Sequence, residues 1–114
     1  MTKPVGPYSP TRRAGGWLIV SGQVGISPSG LADGFDAQLQ QALDNLRGLL
    51  EGEGASMNDV VKTTVFLTTM DDYARMNEIY IEAFGDNRPA RSAVAVAQLP
   101  IGALVEIEAW AWIG

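Results

Sequence analysis

Two charged residues carry most of the chemical promise in this sequence: Arg91, in RPARS, and Glu106, in VEIE. A planar guanidinium can hold a carboxylate through two parallel hydrogen bonds, and a glutamate can orient a water molecule or move a proton. Each opens a short alternating segment just after a turn, Pro89-Ala90 before the arginine and Leu99-Pro100-Ile101-Gly102 before the glutamate. If those segments are neighbouring strands, both side chains reach one sheet rim and can share a ligand. The same two residues would also make a structural ion pair, which is the commoner outcome of such a pattern.

Other candidates are more ambiguous. Tyr8, in GPYSP, offers a pocket wall or a hydroxyl, although a tyrosine beside proline and glycine more often packs a turn. Ser21-Gly22-Gln23 ends an extended segment with a glycine, which marks either close approach by a ligand or a bulge. Asn77 is the one amide on an otherwise apolar helical stripe. It reads as a buried amide hydrogen-bonded to a loop or a neighbouring chain before it reads as a substrate contact. Lys62 fits a snorkelling or paired side chain better than a Schiff-base lysine, and Asp71-Asp72 fits a helix cap better than a catalytic dyad.

Missing residues narrow the choice further. With no histidine and no cysteine, there is no Ser-His pair, no thiolate nucleophile and no sulfur or imidazole metal site. No glycine-rich phosphate loop stands between a strand and a helix. Eight basic residues against thirteen acidic ones leave a net charge of -5, and only Arg12-Arg13 are adjacent, so nucleic acid is a poor candidate partner. No apolar run approaches a membrane span, and the opening MTKPVGPYSP has no long apolar core, so a cytoplasmic protein is expected.

The elements that must position these side chains follow from periodicity. Extended segments flank the turn Ala14-Gly15-Gly16, the second covering Trp17 to Gln23, and ISPSGLADG reads as a loop with Asp33 as a possible helix N-cap. Leu39, Ala42, Leu43, Leu46, Leu49 and Leu50 predict an amphipathic helix from about Phe35 to Glu53. Val60 to Leu67 alternates as a strand, with Val61, Thr63, Val65 and Leu67 on one side and Val60, Lys62, Thr64 and Phe66 on the other. A second helix covers about Asp71 to Phe84, with Tyr73, Met76, Asn77, Tyr80 and Phe84 along one face. A strand from about Arg91 to Ala97 and a last one through VEIEAWAWIG complete the order ββαβαββ.

At 114 residues there is room for one domain, 1–114. Two helices cover only one face of such a sheet, so the expected architecture is an α/β two-layer sandwich with a mixed sheet. The uncovered face then shows Trp17, Phe66, Trp110 and Trp112, too much apolar surface for a monomer, and predicts a homo-oligomer. Glu106 and Glu108 share that face; an unpaired buried carboxylate is costly, so Glu108 is expected to pair with Lys62 or a neighbouring chain.

These segments also carry a likeness. GPYSP, VSGQVGISPSG, QALDNLRGLLEGEGASMNDVVKTTVFLTTMDDYARMNEIYIEAFG and RPARSAVAVAQLPIGALVEIEA together resemble the RidA/YjgF family of reactive-intermediate deaminases, over nearly the whole chain and in order. The resemblance implies a chorismate-mutase-like fold and a barrel-like homotrimer with sites in the clefts between subunits. It implies cofactor-independent hydrolysis of enamines and imines, such as 2-aminoacrylate and 2-iminopropionate, to 2-keto acids and ammonia. By the same likeness Arg91 would clamp the substrate carboxylate and Glu106 would position or activate water. Tyr8 would wall the pocket, the backbone of Ser21 and Gly22 would approach the substrate, and Asn77 would support them. Many members have Cys or Thr where this chain has Ala93, which leaves only a backbone N–H there as an anion donor. The family has also been described as endoribonucleases and translation inhibitors, and a non-catalytic metabolite-binding role would use the same pocket.

Overall fold

The computed structural model describes residues 6–114. The chain opens with a hairpin, β1 (Thr11–Ala14) and β2 (Trp17–Val24), turned at Gly15, whose φ of 59° suits a residue without a Cβ. A two-residue hairpin, β3 (Ile26–Ser27) and β4 (Gly30–Leu31), occupies the segment expected to be a plain loop.

Helix α1 (Phe35–Gly52) buries the predicted leucine stripe together with Gln38, whose Oε1 accepts the Leu104 N–H at 2.8 Å. Its N-cap is Gly34 at φ 89°, not Asp33, and no side chain caps that end. Gly54 at φ 79° ends it by letting the chain fold back, so that the N–H groups of residues 53–55 bond the carbonyls of Leu50 and Glu51. A Ser56–Asp59 capping box then leads into β5 (Val60–Leu67).

Strand β5 departs from strict alternation at its start. A bulge between Val60 and Lys62 turns Val60 inward and Val61 outward, the reverse of the expected sides, because one extra residue shifts the two-residue period. Helix α2 (Tyr73–Phe84) is preceded by one 3-10 turn, Met70–Asp72, capped by Thr69 Oγ1 accepting the Asp71 N–H at 3.1 Å. Asp71 and Asp72 thus sit in a capping turn, as expected. The chain ends with β6 (Ala90–Ala95) and β7 (Val105–Trp112).

The five long strands form one mixed sheet in the order β1-β2-β7-β5-β6, in which only β5 and β6 are parallel. Strand β7 inserts between β2 and β5, so α1 crosses over it and α2 joins the parallel pair. Both helices lie on one face, where Leu18, Val20, Val65, Leu67, Val105, Ile107, Ala109 and Ala111 meet Leu39, Leu43, Leu46, Met76 and Phe84 in a single buried cluster. The two-layer sandwich and its element order match the expectation from sequence.

Among the described residues, no layer covers the other face. Trp17 meets Trp110 and Trp112 edge to face at centroid distances of 5.8 and 5.0 Å, and Trp110 and Trp112 remain 41% and 49% exposed. Among the described residues no helix is long and apolar enough to cross a membrane.

Candidate functional site: two half-sites on opposite faces of one sheet

Arg91 stands opposite Thr63 in the parallel β5–β6 register and therefore points to the helix face. There α2 receives it. Its guanidinium donates to the Tyr73 hydroxyl at 3.2 Å, contacts Met76 Sδ at 3.6 Å, and lies 5.6 and 4.8 Å from the ring centroids of Tyr73 and Tyr80. The Tyr80 hydroxyl is fixed from below by buried Thr63 at 2.7 Å, and burial raises its pKa despite that hydrogen bond and the nearby Arg91 charge. The described groups that touch the guanidinium, Tyr73, Met76 and Tyr80, are neutral side chains. Among the described residues no carboxylate lies within ion-pair distance of Arg91.

Arg91 opens into a cleft of about 440 Å³ whose other walls are Asn77, Tyr80, Ile81, Arg88 and Pro89. Asn77 Oδ1 is buried and has no hydrogen-bond partner among the described residues. The loop partner favoured by pattern is thus absent among the described residues, and an unbonded buried carbonyl costs about 1–3 kcal/mol unless a neighbouring chain or a ligand supplies a donor. Ala93 follows on the same face of β6, packed against the core, on a strand whose outer edge has no sheet neighbour.

Glu106 lies elsewhere. It sits on β7 between Phe66 of β5 and Val24 of β2, on the face away from the helices. Strand β5 separates β6 from β7, so the expected neighbouring strands are not neighbours, and Arg91 and Glu106 project from opposite faces of the sheet. Within one chain they form neither a shared rim nor a structural ion pair. The reason is topological: the final strand returns to the middle of the sheet, while the strand before it stays at the edge.

The Glu106 carboxylate rests directly on Gly22, where a Cβ would overlap its Oε2. The strand is irregular there, with a bulge between Val20 and Gln23, so Gly22 serves both close approach and bulge. Ser21 ties in the N-terminal segment, its N–H donating to the Pro10 carbonyl at 2.9 Å and its hydroxyl to the Ser9 carbonyl at 2.7 Å. Tyr8 precedes that tether and is 44% exposed. Burial first, and the neighbouring Glu108 second, push the Glu106 carboxyl above its ordinary pKa.

Lys62 does not pair with Glu108 in the chain. It stands opposite Trp110 and donates to Ser92 Oγ at 2.8 Å, while Glu108 stands opposite Thr64. Among the described residues no cluster of three or more acidic side chains is close enough to hold a metal.

The chain thus assembles one half-site around Arg91 and Asn77 and another around Glu106, Gly22 and the Ser21-tethered segment carrying Tyr8. The sequence pattern places Tyr73 and Tyr80 on the stripe of α2 and Thr63 on one side of β5 without marking any of them, or Arg88, as part of a site. The i, i+7 spacing of the two tyrosines on α2 was the available signal, since it stacks both rings on one helix face.

The model of the endoribonuclease L-PSP family matches residues 1–113 of this chain. A RutC family protein of Pyrococcus horikoshii is 46% identical over 113 residues, covering 96% of this chain and 90% of that protein. The mouse 2-iminobutanoate/2-iminopropanoate deaminase is 44% identical over 108 residues, covering 92% and 80%. The crystal structure of RidA from an Antarctic Psychrobacter superposes with a TM-score of 0.94 at 42% identity, covering 97% of this chain and 92% of that one.

Proposed function

Since this chain belongs to the endoribonuclease L-PSP family of RidA and YjgF proteins, we propose that it is a cofactor-independent deaminase of 2-imino acids, completed by assembly as a homotrimer. The observation that carries this reading is the Arg91 guanidinium, held between Tyr73 and Tyr80, facing a cleft and without a carboxylate partner among the described residues. Such an arginine is a prepared site for a substrate carboxylate.

The chemistry asks little of the protein. A protonated imine carbon is already electrophilic. Water adds to it, the carbinolamine loses ammonia, and a 2-keto acid remains, so that one water is consumed and no electrons change hands. Holding the carboxylate and presenting the water supplies proximity and orientation. Glu106 is the group suited to the water: half-buried, raised in pKa, and held against Gly22.

Because Arg91 and Glu106 face opposite ways in one chain, the proposed reaction needs Arg91 of one copy beside Glu106 of another. The exposed tryptophan face is the surface suited to bring copies together. RNA cleavage is less well supported, since Arg13, Arg47 and Arg75 are each tied to a carboxylate of the same chain and the net charge is -5.

The test is a coupled assay. An amino-acid oxidase generates the imine, semicarbazide competes for it, and the fall in trapped imine reports hydrolysis by the protein. Acceleration is expected for the wild type and absent in Arg91→Ala. Equal trapping with and without the protein would sink the deaminase reading.

A further inference from the structure

We propose that the Arg91 cleft is built for a second anionic group, with Arg88 as a specificity-determining residue, so that the favoured imines bear a carboxylate on their side chain. The inference rests on the deaminase reading for its reaction, and on the cleft alone for its recognition chemistry.

Arg88 and Arg91 line the same cleft of about 440 Å³, and none of the six residues lining it is acidic. Two of the chain's eight basic residues thus face one cleft. The contrast with other arginines sharpens the point. Arg13 is paired with Glu53, Arg47 with Asp44, and Arg75 with Asp36 and Glu78; among the described residues Arg12, Arg88 and Arg91 have no carboxylate partner, and of these Arg12 is exposed on the edge strand β1 while Arg88 and Arg91 share one cleft. Two guanidiniums on one concavity without a carboxylate of their own chain repel one another, a single Glu106 from a second copy offsets one charge at most, and a dicarboxylate presents one anionic group to each.

The remaining walls agree with this ligand. Arg91 is fixed from one side by Tyr73, Met76 and Tyr80, so its free edge is directed and its carboxylate site is defined. Arg88 is exposed on the loop before Pro89, free to meet a side chain that extends away from the reacting carbon. Asn77 lines the same cleft, and its buried Oδ1, without a donor among the described residues, is matched to the N–H of an imine or amine. A three-carbon imine with one carboxylate satisfies Arg91 and Asn77 but leaves Arg88 unused. A four- or five-carbon 2-imino diacid satisfies all three.

Titration calorimetry on the purified full chain separates these cases, with the 2-keto acids that hydrolysis would release as probes: oxaloacetate and 2-oxoglutarate against pyruvate and 2-oxobutanoate. At low ionic strength the diacids are expected to bind about tenfold tighter than the monoacids, as one further charge-assisted hydrogen bond would give. That ratio is expected to collapse toward one in Arg88→Gln and to shrink with added salt in the wild type. Equal affinities in the wild type, a ratio unchanged by Arg88→Gln, or no binding of either class overturns the proposal. The coupled imine assay is read separately: diacid-selective binding without hydrolysis of any imine would sink the deaminase reading and leave the recognition intact.

Discussion

The Arg91 guanidinium lies 4.8 Å from the centroid of the Tyr80 ring, and that ring is pinned by its hydroxyl to buried Thr63 at 2.7 Å. The cation is therefore aimed by a chain of neutral contacts that begins on β5, passes through α2 and ends on β6. Such contacts orient a guanidinium without neutralising it, which is what a substrate carboxylate requires.

Removing the two parts of that support has separable effects. Tyr80→Phe keeps the ring but leaves the buried Thr63 hydroxyl unbonded, at a cost of about 1–3 kcal/mol in unfolding free energy. Tyr80→Leu also removes the aromatic face, and KM for the imine is expected to rise about 3- to 30-fold, the worth of one cation–π contact. Denaturant unfolding and steady-state kinetics on both variants distinguish the roles. A KM for Tyr80→Leu equal to that of the wild type would mean that the ring does not orient Arg91.

The opposite orientation of Arg91 and Glu106 leads to a complementation test. Arg91→Ala and Glu106→Gln proteins are each expected to be inactive, and refolding them together should restore activity. In a randomly mixed closed ring about one site in four pairs an intact Arg91 from one copy with an intact Glu106 from the next. Recovery near a quarter of wild-type kcat supports a shared site; no recovery in verified mixed oligomers would place the whole site within one chain.

Gly22 supports Glu106 by having no side chain. In Gly22→Ala the added methyl meets the carboxylate end of a flexible side chain, so Glu106 moves and the backbone does not have to. The unfolding free energy should change by less than about 1 kcal/mol while kcat falls at least about tenfold. Adding Glu106→Gln to this variant should then cost less than it does alone, because both changes disable one group. Fully additive losses would separate the two residues.

Glu106 also predicts a pH dependence whose sign follows from its raised pKa. The folded protein holds this proton more tightly than the unfolded chain, so stability falls as pH rises from the ordinary glutamate range, near 4.5, through the folded pKa. Glu106→Gln lacks that penalty, so its unfolding midpoint is expected to gain on the wild type across the window and to hold a constant lead at neutral pH. Activity runs the other way. If the carboxylate form serves the water, wild-type kcat rises through the same window and Glu106→Gln stays about 10² lower or more throughout. Thermal scans and rate profiles between pH 4 and pH 8, a range set by ordinary carboxyl titration, check both limbs.

Much of the fold is written locally. The leucine spacing of α1, the aromatic stripe of α2 and the alternation in VEIEAWAWIG each set an element and its buried side, because side-chain direction along a helix or strand is a property of the backbone period alone. The same alternation set Glu106, Glu108, Trp110 and Trp112 on one face, and the structure keeps them there. Where a bulge interrupts the period the reading failed, and Val60 and Val61 exchange sides.

What only the tertiary structure decided is which elements meet. Strand order is a long-range choice, and the return of β7 to the middle of the sheet separates Arg91 from Glu106 by one strand and one sheet thickness. The neutrality around Arg91, the unbonded Asn77 and the cleft shared with Arg88 arise from the packing of α2 and its following loop against β6. No local period encodes that packing. From sequence, Arg91 and Glu106 read as either a shared rim site or a structural ion pair; in three dimensions they are the charged members of two half-sites.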